Sequence, residues 1–298
     1  MTSNLGKVIE AVFRIQMKQH LEDRRILPEA MFGFRSGRGT TDAINNVLDS
    51  VKDKLAKGKM VSVIALDASS AFNLLSRDLV VESLKIVGAG PLIVRWLSTC
   101  LSDRYSYVEI NNERSDTWLV DIGVPEGGLA SPDEYNIGTI TMPLWSNTSE
   151  STLYADDACE VVWADTSDEC HARSQEVADK LSKWYKCAGL SLNPKKSEYI
   201  PFNYDPGPLI VDGTEVDPKK TFKFLGCHIQ ADLGWSLQVN ETITKIRKNA
   251  ARIRVEGRNV GIHERKALYY AWVHSHLMCN AGAYLPLLGN NQKHDLQT

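Results

Sequence analysis

Two apolar runs, TLYA (152–155) and ACEVVW (158–163), are separated by two adjacent aspartates, Asp156 and Asp157. Runs of this length and β-branched content fit strands. A two-residue gap fits a hairpin, with the carboxylates at its tip. Asp-Asp is poor turn chemistry without glycine. Side by side, each acid raises the proton affinity of the other unless a cation neutralises them. A second β-branched run, VSVIAL (61–66), also stops at an acid, Asp67. For Asp67 alone, a turn or helix-cap role is the simplest reading. Three carboxylates from neighbouring strand ends would instead form a hard oxygen site suited to Mg²⁺. Two such ions, about 3.5–4 Å apart, could activate an attacking hydroxyl and stabilise a leaving phosphate oxygen. On the chemistry alone, a structural acidic turn and a metal site both stand.

The rest of the chain reads as α+β, then mostly α. Leu5, Val8, Ile9, Val12, Phe13, Met17 and Leu21 fall at helical spacing, so a helix opens the chain. The glycine-rich passage FGFRSGRG (32–39) follows Pro28 as a loop, and Thr40 or Thr41 caps a second helix that Gly58 stops. Helices are predicted over 78–87 and 91–101, and strands over 104–110 and 117–122. Ser131-Pro132 marks another helix start. A long helix runs over about 168–188, with short strands near 197–202, 209–211, 215–216 and 222–229. From 238 to about 285 the pattern is helical.

Composition bounds the class. With 298 residues, 43% of them hydrophobic, the chain can bury a sizeable core. Its longest apolar stretch, Met60–Leu66, is of strand length, so no membrane span is expected. The six cysteines contain no C-x-x-C pair, which argues against a zinc site or a disulfide framework. An intracellular place, nucleus or cytoplasm, is therefore expected. The net charge of −3 hides an asymmetry: residues 1–60 carry +4, 61–218 carry −14 and 219–266 carry +7. An acidic centre between basic flanks suits a cation site beside a polyanion-binding surface.

Six blocks then occur in order: LPEAMFGFRSGRGTTDAI (27–44), ALDASSAFN (65–73), GVPEGGLASPDEYNI (123–137), YADDACEVV (154–162), GLSLNPKKSEYI (189–200) and FKFLG (222–226). Together they resemble the reverse transcriptase domain of non-LTR (LINE-type) retrotransposons, over roughly residues 5–285. The resemblance implies a right-hand polymerase: partial fingers at 1–58, an antiparallel palm with packed helices at 59–229 and a helical thumb at 230–298. It implies RNA-directed DNA synthesis, with an RNA template, a DNA primer, deoxynucleoside triphosphates and two Mg²⁺ ions, Mn²⁺ being the substitute. Asp67 and Asp156 would bridge the metals, with Asp157 as third acid and the Ala68 carbonyl completing a shell. Phe72 would lie under the nucleotide sugar and exclude a 2′-hydroxyl, and Gly127 would admit backbone to the nucleotide. Lys196, with Lys195 as competitor, would sit by the leaving pyrophosphate as cation and general acid. Phe224, Leu225 and Gly226 would form the primer-gripping hairpin. Arg35 and Arg38 would track template phosphates. Lys245, Arg247, Lys248 and Arg252 would line the thumb helix against the duplex.

The chain departs from the family at four places. Asn73 stands where the family has Asp. Glu126, with Gly128 beyond it, replaces the usual Gln and Ser in the GVPQGS block, placing an anion beside a triphosphate site. Asp133-Glu134 replaces a pair that is usually apolar. MTSNLGKVIEAV resembles the tail of a fingers region whose basic hairpin would come before it. On that reading the chain is expected to polymerise weakly alone. The alternative function is a catalytically weak or inactive nucleic-acid-binding remnant.

Overall fold

β1 (Met60–Leu66) is apolar on both faces, which only a strand enclosed between two layers tolerates. The computed structural model, which describes residues 4–289 together with 292, 293 and 296, places it inside a four-stranded sheet. Before it lie α1 (Asn4–Asp23) and α2 (Thr40–Ala56). After it come β2 (Ala68–Ser69), the single turn α3 (Ala71–Leu74), α4 (Arg77–Ile86) and α5 (Pro91–Leu101). An exposed hairpin follows, with β3 (Arg104–Ser106), β4 (Glu109–Ile110), β5 (Glu113–Arg114) and β6 (Trp118–Val120). Next are α6 (Ser131–Gly138), β7 (Ser149–Tyr154), β8 (Asp157–Ala164), α7 (Ser167–Cys187), β9 (Ser191–Leu192) and β10 (Glu198–Pro201). Two small hairpins, β11 (Leu209–Val211) with β12 (Thr214–Val216) and β13 (Thr221–Phe224) with β14 (Cys227–Gln230), lead to the helical end. That end holds α8 (Ser236–Glu256), α9 (Ile262–Tyr269), a π-helical turn at Tyr270–His274, α10 (Ser275–Met278) and α11 (Ala281–Tyr284).

The sheet order is β10-β1-β8-β7, antiparallel throughout. Period-2 alternation sends Val61 and Val63 to one face and Ile64 and Leu66 to the other. On the first face they join Ile44, Val47, Leu48 and Val51 of α2, together with Phe222 and Ile229 of the β13–β14 hairpin. On the second they meet Val177, Ala178 and Leu181 of α7, with α4, α5 and α6 beyond. The α2 residues recur at i, i+3, i+4 and i+7, one helical stripe, and the Gly39 N–H donates to Asp42 Oδ2 (2.6 Å) to start the helix. Thr166 starts α7 by accepting from the Glu169 N–H, and Gly189, at φ +76, ends it.

The segment whose local pattern reads as a strand over 222–229 is a hairpin, as the resemblance implies for Phe224–Gly226, because Leu225 (φ 48) and Gly226 (φ 81) are both left-handed, as a two-residue turn of this hand requires. The expected strands over 104–110 and 117–122 form an outer ladder, β3 with β6, and an inner one, β4 with β5. The three expected units share one core: α2, the sheet, and Trp235, Val239 and Tyr284 pack together. Among the described residues, no helix is long and apolar enough to cross a membrane. All six cysteines are free thiols.

Glu160 on β8 is fully buried. Ser149 Oγ donates to its Oε2 (2.6 Å), while Oε1 has no partner. Burial pushes its carboxyl from 4.5 up to about 7. The folded state therefore holds a proton that the unfolded state releases. Stability from this group is complete below pH 4.5 and is lost as pH rises through 7. The loss is on the order of 3 kcal/mol, at roughly 1.4 kcal/mol per pKa unit. Glu160→Gln is expected to flatten the stability profile over that window, measured by urea denaturation between pH 5 and 8. An unchanged profile would show that Glu160 does not titrate there.

Candidate active site

The β1–β8 ladder pairs Ala65 with Cys159 and Leu66 with Ala158, so its next step brings Asp67 opposite Asp157. Tyr154 pairs with Asp157, leaving Ala155 and Asp156 as a two-residue turn. Ala155 takes φ 55, which is costly for a residue with a Cβ and must be imposed by its surroundings. The imposing group is the FGFR loop. Phe32 N–H donates to Leu153 O (2.8 Å), and Leu153 N–H donates to Ala30 O (2.8 Å). Gly33 lies so close to the turn that a Cβ there would sit 2.4 Å from Ala155 N. Sequence reasoning missed this role, and the signal available was a glycine between two aromatics, Phe32 and Phe34.

Asp157 is half-buried, and its carboxyl is pushed up to about 6 by burial first, then by the charges of Asp156 and Asp67. Asp67 Oδ2 is buried and accepts no hydrogen bond. Its cation neighbour is Lys196, whose Nζ lies 3.6 Å away. Both lysines are exposed, but of the two candidates Lys196 is the one with a contact to these carboxylates. The backbone fixes this meeting: Ala68 pairs with Leu192, and Asn193 N–H donates to Asp67 O (2.9 Å). The GLSLNPKKS turn is thereby held against the end of β1. Among the described residues, no group of three or more His, Cys, Asp or Glu is gathered tightly enough to hold an ion as it stands. The donor set nevertheless fits a divalent cation, since three acids repel one another and one buried oxygen has no partner.

Phe72 stacks on Tyr135 (centroids 4.7 Å apart) and meets the edge of Phe34 (6.1 Å), so its ring is clamped beside the acids by the fingers loop and α6. The GVPEGG loop is tied to the same place. Val124 N–H donates to Phe72 O (2.8 Å), and Arg77 donates to the carbonyls of Gly123, Ile122 and Leu101. Gly127 is left-handed at φ +77 and exposed at the rim.

Three of the departures have local partners. Asn73 Nδ2 donates to Glu126 Oε1 (2.7 Å), so the amide and the anion form a pair. Gly128 leans on Ser131, whose Oγ would lie 2.5 Å from an added Cβ. Asp133 is buried and accepts from Arg14 Nε of α1 (2.6 Å). Glu134 is buried too, with Oε2 unpartnered. Burial, then the charge of Glu10, pushes its carboxyl up to about 7.

Arg35 and Arg38 do other work than expected. Arg35 has only 7% of its side chain exposed and donates to Glu22 and to the carbonyls of Pro28 and Met31. It is a strut of the loop and turns no donor outward. Arg38 pairs with Glu29 and lies over the Phe32 ring. Phe224 is buried in the second core, so of the three residues expected to grip a primer only Leu225 and Gly226, at the tip, are accessible. On α8, Lys245 pairs with Glu241 (2.6 Å), while Arg252 reaches Glu256 and lies over Trp272. Arg247 and Lys248 are exposed and, among the described residues, have no acid partner.

A buried antiparallel sheet with acids at one end, helices on both faces and a helical unit beyond define a right-hand polymerase palm with its neighbours. The family model for reverse transcriptase (RNA-dependent DNA polymerase) matches residues 1–229, and the chain belongs to that family. It is 23% identical over 264 residues to a probable RNA-directed DNA polymerase from transposon BS of Drosophila melanogaster, covering 85% of this chain and 29% of the relative. It is 24% identical over 241 residues to the RNA-directed DNA polymerase from mobile element jockey of Drosophila funebris, covering 77% and 26%. The chain thus spans less than a third of the length of these curated relatives. In fold it is similar to Candida tropicalis telomerase solved with a fragment of telomeric RNA (TM-score 0.57, 14% identity, 95% of this chain and 47% of that one).

The close approach of Gly33 yields a direct test. Gly33→Ala is expected to lower stability by roughly 1–3 kcal/mol, the usual cost of overpacking. Gly207→Ala, where an added Cβ meets nothing within 4 Å, is expected to be nearly silent. Thermal denaturation of both variants checks this, and equal melting points would remove the buttress role from Gly33.

Proposed function

We propose that this chain carries the polymerising site of an RNA-directed DNA polymerase of a non-LTR mobile element. The reaction joins a primer 3′-hydroxyl to the α-phosphate of a deoxynucleotide, in line, with pyrophosphate leaving. The observation that carries the reading is the β1–β8 register, which sets Asp67 against Asp157 with Lys196 beside them. Asp67, Asp156, Asp157 and the Ala68 carbonyl would hold two Mg²⁺ ions, with Mn²⁺ as substitute. When bound, these supply hydroxyl activation and charge neutralisation at the phosphate. Lys196 then donates a proton toward the leaving pyrophosphate. Phe72, clamped by Tyr135 and Phe34, presents a ring edge that a 2′-hydroxyl would strike. The left-handed backbone at Gly127 lets the loop approach the nucleotide without a Cβ, and Asn73 holds the Glu126 carboxylate. The Leu225–Gly226 tip faces the primer.

Primer extension on an RNA template with Mg²⁺ tests the reading. Asp67→Asn and Asp156→Asn are each expected to lower the extension rate by at least about 100–1,000-fold, the typical cost of one lost transition-state donor. Extension by both variants at the wild-type rate would end it.

The thumb helix is tested separately. Among the described residues, Arg247 and Lys248, like Arg254 in the last turn of α8, have no acid partner, so they are free to neutralise phosphates. Reversing both charges is expected to weaken RNA–DNA duplex binding across sequences. The slope of log affinity against log salt should also flatten by roughly 2, at about 0.9 per phosphate neutralised. Reversing Lys245 and Arg252, which already have partners, should do less. The reverse order of effects would move the duplex off this face.

A further inference from the structure

Away from the three aspartates, α1, α5, the start of β3 and the N-terminal turn of α6 enclose a second cavity of about 330 Å³. Its walls are apolar and aromatic: Ile9, Trp96, Leu101 and Pro125. Phe13 stacks on Trp96 at 4.0 Å and holds that indole in place. Two carboxylates also line it, Glu10 and Glu134, against one guanidinium, Arg104.

Glu134 is the unusual member. It is only 3% exposed, and its Oε2 has no hydrogen-bond partner. Leaving a buried charged acceptor unsatisfied costs more than leaving a neutral one. The neighbours relieve it only in part: the Ser131 hydroxyl and the Arg104 charge favour its ionised form, yet Oε2 has no partner. Glu10 Oε1 already accepts from the Ala130 N–H (2.9 Å), and among the described residues Arg104 forms no ion pair. Asp133, one residue away, meets its own requirement through Arg14 (2.6 Å) and leaves Glu134 nothing. A core position that needed only packing would hold an apolar side chain here. Oε2 therefore calls for a donor that the described residues do not supply.

We propose that this cavity is a binding site for a small amphipathic organic cation, with an amidinium or ammonium head on Glu134 and Glu10 and a flat apolar body against Trp96 and Pro125. The charges select the sign: two acids face one guanidinium, and a cationic head would favour the ionised form of Glu134. The walls select the shape, because Ile9, Leu101 and Pro125 offer no polar partner to a body that carries one. The volume suits a ligand of one ring and a short substituent. Pro125 belongs to the GVPEGG loop, so an occupant would touch the segment that also carries Glu126 and Gly127. The site is separate from the aspartates, and its occupancy can be read without any polymerisation.

Isothermal titration of the full chain with benzamidine is the test, with benzamide as the uncharged probe of the same outline. Benzamidine is expected to bind one site, and benzamide about tenfold or more weaker, since the difference is a charge-assisted hydrogen bond to a buried acceptor. Glu134→Leu is expected to abolish benzamidine binding. That variant replaces an unpartnered buried acid by an apolar residue of similar size, so it should fold at least as well, which its melting point checks. Glu134→Gln, nearly isosteric, keeps the conclusion independent of any repacking and should also weaken benzamidine by about tenfold or more. No binding to the wild-type chain overturns the proposal. So does equal binding of the two probes, or benzamidine binding that survives both substitutions.

Discussion

Carboxylates placed side by side repel, and here the pairing of two buried strands holds them together. A pair of unit charges 4 Å apart near a protein surface interacts by about 4 kcal/mol. Against that, the β1–β8 ladder buries Val61, Val63, Ile64, Leu66, Val161 and Val162, each contributing roughly 1.5–3 kcal/mol. Packing wins, and the proton affinity of Asp157 is raised, by burial first and then by the neighbouring charges of Asp156 and Asp67. The register does the choosing. A slip of one residue would swap the two faces of β1, turning Asp67 to the opposite side of the sheet and each apolar side chain into the core built for its neighbour. The same apolar pattern that makes the sheet stable thus fixes where its acids project.

The turn that carries Asp156 depends on a second contact, made from outside the sheet. Arg35 ties the FGFR loop to Glu22 of α1 and to two of the loop's own carbonyls. That shape presses Gly33 onto the Ala155 peptide, where no side chain fits. A left-handed alanine next to two acids would otherwise relax toward a commoner turn. The arginine expected to touch template phosphate acts at one remove, through the loop, the glycine and the turn.

Elements with a strong period were legible in the sequence. The α2 stripe, the VSVIAL strand and the TLYA–ACEVVW hairpin follow from spacing alone, each within about three residues of its predicted bounds, although the hairpin turns one residue earlier than expected, at Ala155-Asp156. Contacts between distant segments were not legible. α3 is one turn long and enters through Ser70 at φ 50, which no periodicity announces. The two-residue β2 and β9 exist only because each meets the other, more than a hundred residues apart. Glu126 read alone is an anion in a phosphate site, and Asn73 read alone is a lost acid. Their pairing across 53 residues turns two departures into one arrangement, in which a second aspartate at 73 would repel the glutamate. Asp133 is explained the same way, by Arg14 on a helix 119 residues earlier.

Asn280 shows how the outer elements are brought to bear on this frame. It lies just before α11 in a left-handed conformation at φ 53, and it is 6% exposed. Its Oδ1 accepts from Thr40 Oγ1 (2.7 Å), the first residue of α2. Its Nδ2 donates to Leu225 O (2.7 Å), at the tip of the β13–β14 hairpin. One buried amide thus joins a helix of the expected fingers, a hairpin of the expected palm and the helical end. An amide suits the place because it presents a donor and an acceptor at fixed separation. Aspartate would leave the Leu225 carbonyl without a donor, and an aliphatic residue would strand both partners in a core already closed by Tyr284 and Phe224. Because Leu225 must be left-handed for the hairpin to turn at all, holding its carbonyl also holds the hairpin's aim. Whatever names its parts take, the packing makes α2, the sheet, the hairpin and α11 one body.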